Sequence, residues 1–375
     1  MVSPRSEQKK DLLLTPPTSL RKKQNNNNAN ISPKLLLKDL LQNDRLSPVS
    51  SPEKKSIKRQ HTIRRPKPNS VLSIENYPQI KPSQYQLNDY LKSILTNCQD
   101  IVVVAGAGIS THAGIPDFRS KQNGLYTQSQ KNKSLMDLNM IYSDESTTLQ
   151  FNDLMVSLHE KSINAELTPF HKFLDKLANE KRLKRIYTQN IDSLEKKLEK
   201  VSISKGKFPT LVQLHGSIDS TKCNKCNNIK PFDPTRFRHS NDNTGSLIPS
   251  CLECEEMESV RSIAGLRSKG VGIIRPTITL YNEVHTEGDS IANIINYDTK
   301  LKSIDLLIIV GTMLSIPHVR KLCQNLAYSM KHGRRKKGHV IFVCNEPPIQ
   351  SILNGFENNI DLVVLGDCQS LYDYL

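Results

Sequence analysis

From about residue 86 onward, short runs of apolar, mostly β-branched residues alternate with longer amphipathic stretches, and this rhythm predicts strands and helices in alternation. The runs are Ile101-Val-Val-Val-Ala105, Arg185-Ile-Tyr-Thr188, Leu211-Val-Gln-Leu214, Asp305-Leu-Leu-Ile-Ile-Val310, His339-Val-Ile-Phe-Val343 and Asp361-Leu-Val-Val-Leu365. Most are apolar at every position instead of at every second one, so both faces must be covered, and the fold class they imply is α/β: an open, doubly wound, Rossmann-like parallel sheet. In that architecture ligands bind beyond the carboxyl ends of the strands. Polar motifs fall at those ends: Gly106-Ala-Gly-Ile-Ser110, Gln189-Asn-Ile-Asp192, His215, Gly311-Thr312 and Asn345-Glu346.

Two stretches do not fit the sheet. A polar helical segment at 120–165 and a cysteine-bearing segment at 217–274 read as insertions that build a smaller second lobe. Within the second, Cys223-x-x-Cys226 and Cys251-x-x-Cys254 form two matched knuckles, and four thiolates so spaced suit one tetrahedral zinc with no position left for water or substrate. Zinc here implies a structural role, with a redox dithiol pair as the alternative. The other cysteines, Cys98, Cys323, Cys344 and Cys368, lie in or beside apolar segments as free thiols, consistent with a reducing compartment.

Charge changes the picture at the amino-terminal end. Residues 1–70 hold 16 Lys or Arg against 5 Asp or Glu, so an excess of +11 out of the total +15 is concentrated there. With the Asn25–Asn28 run and Ser-Pro or Thr-Pro pairs at Thr15, Ser32, Ser47 and Ser51, residues 1–75 read as a disordered basic tail open to proline-directed phosphorylation. Its clusters Lys54-Lys55, Lys58-Arg59 and Arg64-Arg65-Pro66-Lys67 point to nuclear import or to a DNA or chromatin contact, with a merely solvated tail as the plain alternative. No apolar run reaches the roughly 20 residues of a membrane helix, and the start lacks the apolar core of a signal peptide, so no membrane association is expected.

The candidate chemistry gathers at the strand ends. Gly106 and Gly108 leave room for backbone to approach a phosphate, and a helix beginning near Ser110 would aim its amides at that anion. The spacing departs from the ordinary dinucleotide fingerprint, since no glycine follows three places after Gly108. Ala113-Gly-Ile-Pro-Asp-Phe-Arg-Ser120 then offers a fixed turn, a ring at Phe118 to cover a reactive face and a fork-shaped cation at Arg119. His215, just past a strand end, is the candidate general base.

Taken in order, GAGIS, AGIPDFRS, TQNID, HG, the paired Cys-x-x-Cys, RP and GT resemble the sirtuin family of NAD-dependent protein lysine deacylases over residues 86–375. Tyr281-Asn-Glu-Val-His285 with Glu287-Gly-Asp289, the tract Cys226–Pro234 and the ending Leu362–Cys368 are most similar to the fungal nuclear branch that acts on histone H3. The resemblance implies a nuclear, NAD-dependent deacetylase of acetylated histone H3 in chromatin, yielding nicotinamide and O-acetyl-ADP-ribose, with roles in silencing, genome stability and transcription regulation. It implies His215 as the base, with Asn190 and Asp192 beside the nicotinamide and ribose. Gly106, Ala107, Gly108, Ser110, Asp117, Phe118, Arg119 and Gln189 would line the NAD pocket, as would Gly311, Thr312, Met313, Asn345, Glu346 and Cys368. Cys223, Cys226, Cys251 and Cys254 would hold zinc, and a substrate peptide would pair with Pro276–Glu283. Met313 stands where the family usually has serine, removing a hydroxyl from the cofactor side. Three rivals remain: a Rossmann oxidoreductase with a zinc ribbon, a chromatin-binding module with a vestigial pocket, and a protein ADP-ribosyltransferase.

Overall fold

The computed structural model describes residues 64–117, 135–201, 208–238, 247–333 and 338–375. Seven strands form one wholly parallel sheet: β1 (Ser70–Ser73), β2 (Ile101–Ala105), β3 (Leu183–Thr188), β4 (Leu211–Gln213), β8 (Leu306–Val310), β9 (His339–Cys344) and β10 (Leu362–Leu365), in the order β1-β10-β9-β8-β2-β3-β4. The chain winds outward from β2 through β3 to β4, then returns to β8 and winds the other way, which puts the topological switch point between β2 and β8.

Alternation within the strands explains why the sheet is covered twice. Ile101, Val103, Ala105, Leu306, Ile308 and Val310 face one apolar cluster with Leu91 and Leu95 of helix α1 (Tyr85–Asn97). Val102, Val104, Leu307 and Ile309 face the other cluster. Every residue of β2 and β8 is buried, and each such Val, Leu or Ile side chain contributes about 1.5–3 kcal/mol by leaving water.

All six strands expected from the sequence are present; a seventh, β1, was not expected. It lies inside the stretch read as a tail ending at 75, so the ordered chain begins earlier than that boundary. Only Leu72 of β1 is buried, which is why so short and half-polar an edge strand left no periodic signal. The basic cluster at 64–67 is also partly built into the fold: Arg65 pairs with buried Asp361 at 3.0 Å and its guanidinium reaches the Gly338 carbonyl. The clusters at 54–59 lie outside the described residues.

The described parts of the two insertions share a core of their own. Helix α2 (Glu145–Asn164), started by Asp144, whose carboxylate accepts the Thr147 N–H at 2.8 Å, places Phe151 and Met155 against Ile218, Phe232, Phe237 and Ile278. Ile218 and Ile278 come from a three-stranded antiparallel sheet of β5 (Gly216–Cys223), β6 (Ile229–Pro231) and β7 (Ile274–Ile278), ordered β6-β5-β7, and Phe232 and Phe237 from the loop that follows β6. Residues 120–134 of the first insertion lie outside the described part. Among the described residues no helix is long and apolar enough to cross a membrane.

Candidate active site

The ends of β2 and β8 touch at the switch point through glycines. A Cβ on Gly106 would lie 2.7 Å from the Gly311 carbonyl oxygen and from Thr312 Cβ, and one on Gly108 would lie 2.8 Å from Gly311 Cα. The Gly108 N–H donates to the Gly311 carbonyl at 2.9 Å, and Gly311 itself takes φ +61°, a left-handed conformation that glycine adopts without strain. Only bare backbone fits at this crossing, which suits a cofactor phosphate lying against it. The helix expected near Ser110 is absent. Two short 3-10 turns, Ala107–Ile109 and Thr111–Ala113, stand there, stopped by Gly114 at φ +75° and by the Ile115-Pro116 step that follows.

Above the crossing opens a cavity of about 570 Å³, lined among the described residues by Gly106, Ala107, Asp117, Gln189, Asn190, His215, Gly311, Thr312 and Met313. Gln189 Nε2 donates to Thr312 Oγ1 at 2.9 Å, tying the end of β3 to that of β8. Met313 is 43% exposed at the rim. Apolar side chains from helix α5 (Gly288–Lys300) and helix α6 (Pro317–His332), including Ile295 and Val319, extend the wall away from the glycines.

His215 is held by one hydrogen bond, from ring Nδ1 to the Gln189 carbonyl at 3.0 Å. A carbonyl can only accept, so Nδ1 carries the proton and Nε2 is left as the basic nitrogen. Burial lowers the imidazole to about 4; the Gln189 carbonyl opposes this, and nearby His318 and His285 add to it. His215 is therefore neutral at pH 7, as a general base must be. The His318 ring stands edge-on to it, with centroids 5.8 Å apart. Neither His318 nor His285 was singled out as a site residue: His318, six residues after Thr312, carried no motif, and His285 entered only as the end of the Tyr281–His285 tract that marked the branch.

Beneath the cavity, Asn190 and Asp192 are buried on either side of Ser110, with Asn190 Nδ2 donating to Ser110 Oγ at 3.2 Å and the Ser110 hydroxyl close enough to favour the charged form of Asp192. Asp192 also accepts the Leu194 N–H at 3.0 Å. Cys368 is buried with its thiol 3.8 Å from the Gly108 carbonyl, and burial pushes that thiol well above the usual range. Asn345 and Glu346 are exposed past the end of β9, outside the cavity lining. Phe118 and Arg119 lie outside the described residues.

The segment assigned to peptide pairing is itself tied into the fold. Pro276 and Ile278 already pair with β5, the Thr279 N–H donates to the His215 carbonyl at 2.9 Å and the Tyr281 N–H to the Met136 carbonyl at 2.7 Å. The Leu280 N–H is taken by Glu283 at 3.0 Å. Asn282 sits at φ +63°, a conformation asparagine tolerates, and its side chain donates to Asp137 at 2.8 Å.

In the small lobe the sulfurs of Cys223, Cys226, Cys251 and Cys254 all lie within 4.8 Å of one another. The pairs Cys223–Cys254 and Cys226–Cys251 are 3.8 and 3.6 Å apart. Zinc–sulfur bonds of about 2.3 Å in a tetrahedron require edges of about 3.8 Å, so the four residues fit the ion. The N–H groups of Lys225 and Cys226 point at Cys223 Sγ, at 3.3 and 3.4 Å, and would support its thiolate.

A doubly wound sheet whose strands β2 and β8 meet in bare glycine at the switch point, with a buried neutral imidazole over that meeting, defines a nucleotide-using α/β enzyme carrying an inserted zinc lobe. A profile described as the Sir2 family matches residues 106–317, and the chain belongs to that family. It is 43% identical over 363 residues to the NAD-dependent histone deacetylase HST4 of Saccharomyces cerevisiae, covering 93% of each chain. To the NAD-dependent protein deacetylase hst4 of Schizosaccharomyces pombe it is 38% identical, over 74% of this chain and 66% of the relative. Its match to the hst4 deacetylase of Emericella nidulans, at 36% identity, spans about half that relative, 52% of its length. Among solved structures, a Sir2 with deacetylated p53 peptide and 3'-O-acetyl ADP ribose shares the fold at TM-score 0.54, with 21% identity over 77% of this chain and 96% of that one.

Proposed function

We propose that this chain is an NAD-dependent protein lysine deacetylase of histones, and that its substrate is acetylated histone H3 in nuclear chromatin. The observation that carries the catalytic reading is His215: a neutral imidazole, pinned through Nδ1 so that Nε2 is free as a base, lining the same cavity as the glycine crossing. Relatives with the NAD-dependent histone deacetylase name support the substrate class. The choice of histone H3 and of the nucleus rests on the sequence resemblance and on the basic clusters of the first 75 residues.

NAD, when bound, would supply the ribose carbon that accepts the acyl oxygen and the nicotinamide that leaves. His215, with Nε2 free at the cavity, is the residue that would take a ribose hydroxyl proton. Asn190 and Asp192 offer an amide and a carboxyl group beneath the site where positive charge develops, and their burial keeps water from screening that interaction. Gly106, Gly108 and Gly311 admit the phosphates, and Phe118 and Arg119 are assigned to the same pocket by resemblance.

His215→Ala should leave zinc content and melting temperature unchanged while deacetylation of an acetylated H3 peptide falls by ~10² or more, the scale of a removed general base. Retained activity in that variant would show that the base is another residue.

A further inference from the structure

Glu195 lies three residues past Asp192, in the 3-10 turn Leu194–Lys197, and is wholly buried. No step described above uses it. The Thr188 hydroxyl, at the end of β3, donates to Glu195 Oε1 at 2.6 Å, and the same hydroxyl oxygen accepts the Asn190 backbone N–H at 3.1 Å. Asn190 Nδ2 in turn donates to Ser110 Oγ at 3.2 Å, and Ser110 lies beside Asp192. A line of polar groups thus runs beneath the cavity from one buried carboxyl group to the neighbourhood of another.

Among the described residues no Lys or Arg forms an ion pair with either acid. Lys196 pairs with Asp219 at 2.7 Å, and Lys197 donates to the carbonyls of Ser162, Ile163 and Ala165. Lys197 attracts Asp192 through space, and Lys196 does the same for Glu195. Two buried, coupled carboxyl groups in this setting cannot both ionise without a large desolvation cost, so one keeps its proton. Burial pushes Asp192 up, while the Leu194 N–H that it accepts at 3.0 Å and the attraction of Lys197 favour its charged form. Glu195 accepts the Thr188 hydroxyl through Oε1, and among the described residues its Oε2 is buried without a hydrogen-bond partner. Burial, and then the Asp192 charge, push Glu195 up to about 8.

We propose that Glu195 is a positioning residue for the cleavage of NAD: as a neutral acid it anchors Thr188, fixes Asn190 at the cavity floor, and leaves the pair's single negative charge on Asp192. This rests on the deacetylase reading above. As pH rises through about 8, Glu195 ionises beside Asp192, and the repulsion that follows disturbs the register of Asn190.

The test is steady-state kinetics of the full chain on an acetylated histone H3 peptide across pH about 6 to 10, comparing wild type, Glu195→Gln and Thr188→Val, with zinc content and melting temperature measured alongside. Wild-type kcat/KM for NAD should fall above pH about 8. Glu195→Gln, an uncharged isostere, should keep neutral-pH activity within about threefold and lose that alkaline fall. Thr188→Val should raise KM for NAD about tenfold with little change in melting temperature, and it carries the test if Glu195→Gln fails to fold. The same alkaline limb in wild type and Glu195→Gln, no limb in wild type, or an unchanged KM in Thr188→Val would each overturn the proposal. Absence of any NAD-dependent deacetylation by wild type would instead sink the deacetylase reading, and this inference with it.

Discussion

At the scale of single residues, the site depends on groups whose protonation is set by burial. His215 was legible in the sequence because it follows a strand end and precedes the zinc knuckles; what holds it, the Gln189 carbonyl, was not, since backbone partners leave no trace in residue type. Glu195 was missed for a related reason: an acid in a Lys- and Glu-rich turn reads as solvated, and only the packing of that turn under β3 buries it. The folded state holds His215 below its ordinary value, so protonation favours the unfolded chain and its contribution to stability is lost as pH falls from about 6.5 toward about 4. Catalysis should follow the same base, with activity declining on the acid side as His215 becomes charged, a limb that a pH profile of kcat/KM would display. At the cavity rim, Met313→Ser should tighten NAD by a few-fold, the equivalent of about 1 kcal/mol for one added hydrogen bond. Isothermal titration would check this, and unchanged affinity would show that the rim does not contact the cofactor.

Elements carry the next level. The strands from β2 to β10 of the main sheet were readable because each is a dense β-branched run, whereas β1 buries only Leu72 and follows a basic cluster. The anchor of β1 includes Arg65, set between Asp361, the Gly338 carbonyl and His339. Arg65→Ala should lower stability by on the order of 1 kcal/mol, read as a drop of a few degrees in melting temperature, since Lys331 remains on Asp361 and Arg65 is about a third exposed. No change would mean that β1 is held by backbone pairing alone. The zinc knuckles behave differently, because the small sheet has little apolar surface beyond the core it shares with α2. Cys223→Ser should release zinc and unfold the small lobe, visible as metal loss by atomic absorption together with loss of activity. A variant that keeps zinc, activity and melting temperature would contradict a structural role for the ion.

The whole molecule brings together what the sequence spread over more than two hundred residues. Gly106, Gln189, His215 and Gly311 come from four strand ends and meet only because the sheet reverses its winding between β2 and β8. That meeting was foreseen from the strand pattern, while the cavity's apolar wall from α5 and α6 and the sharing of one core by the two insertions needed coordinates. The first 75 residues hold most of the net charge, and a reporter fused to them should accumulate in the nucleus; an even distribution would remove the import reading. The central claim, NAD-dependent deacetylation, is tested most directly by mass spectrometry of the purified chain with acetylated histone H3, with and without NAD. The account predicts deacetylated lysine and O-acetyl-ADP-ribose in equal amounts, both only when NAD is present. A folded, zinc-loaded sample that yields neither product would contradict it.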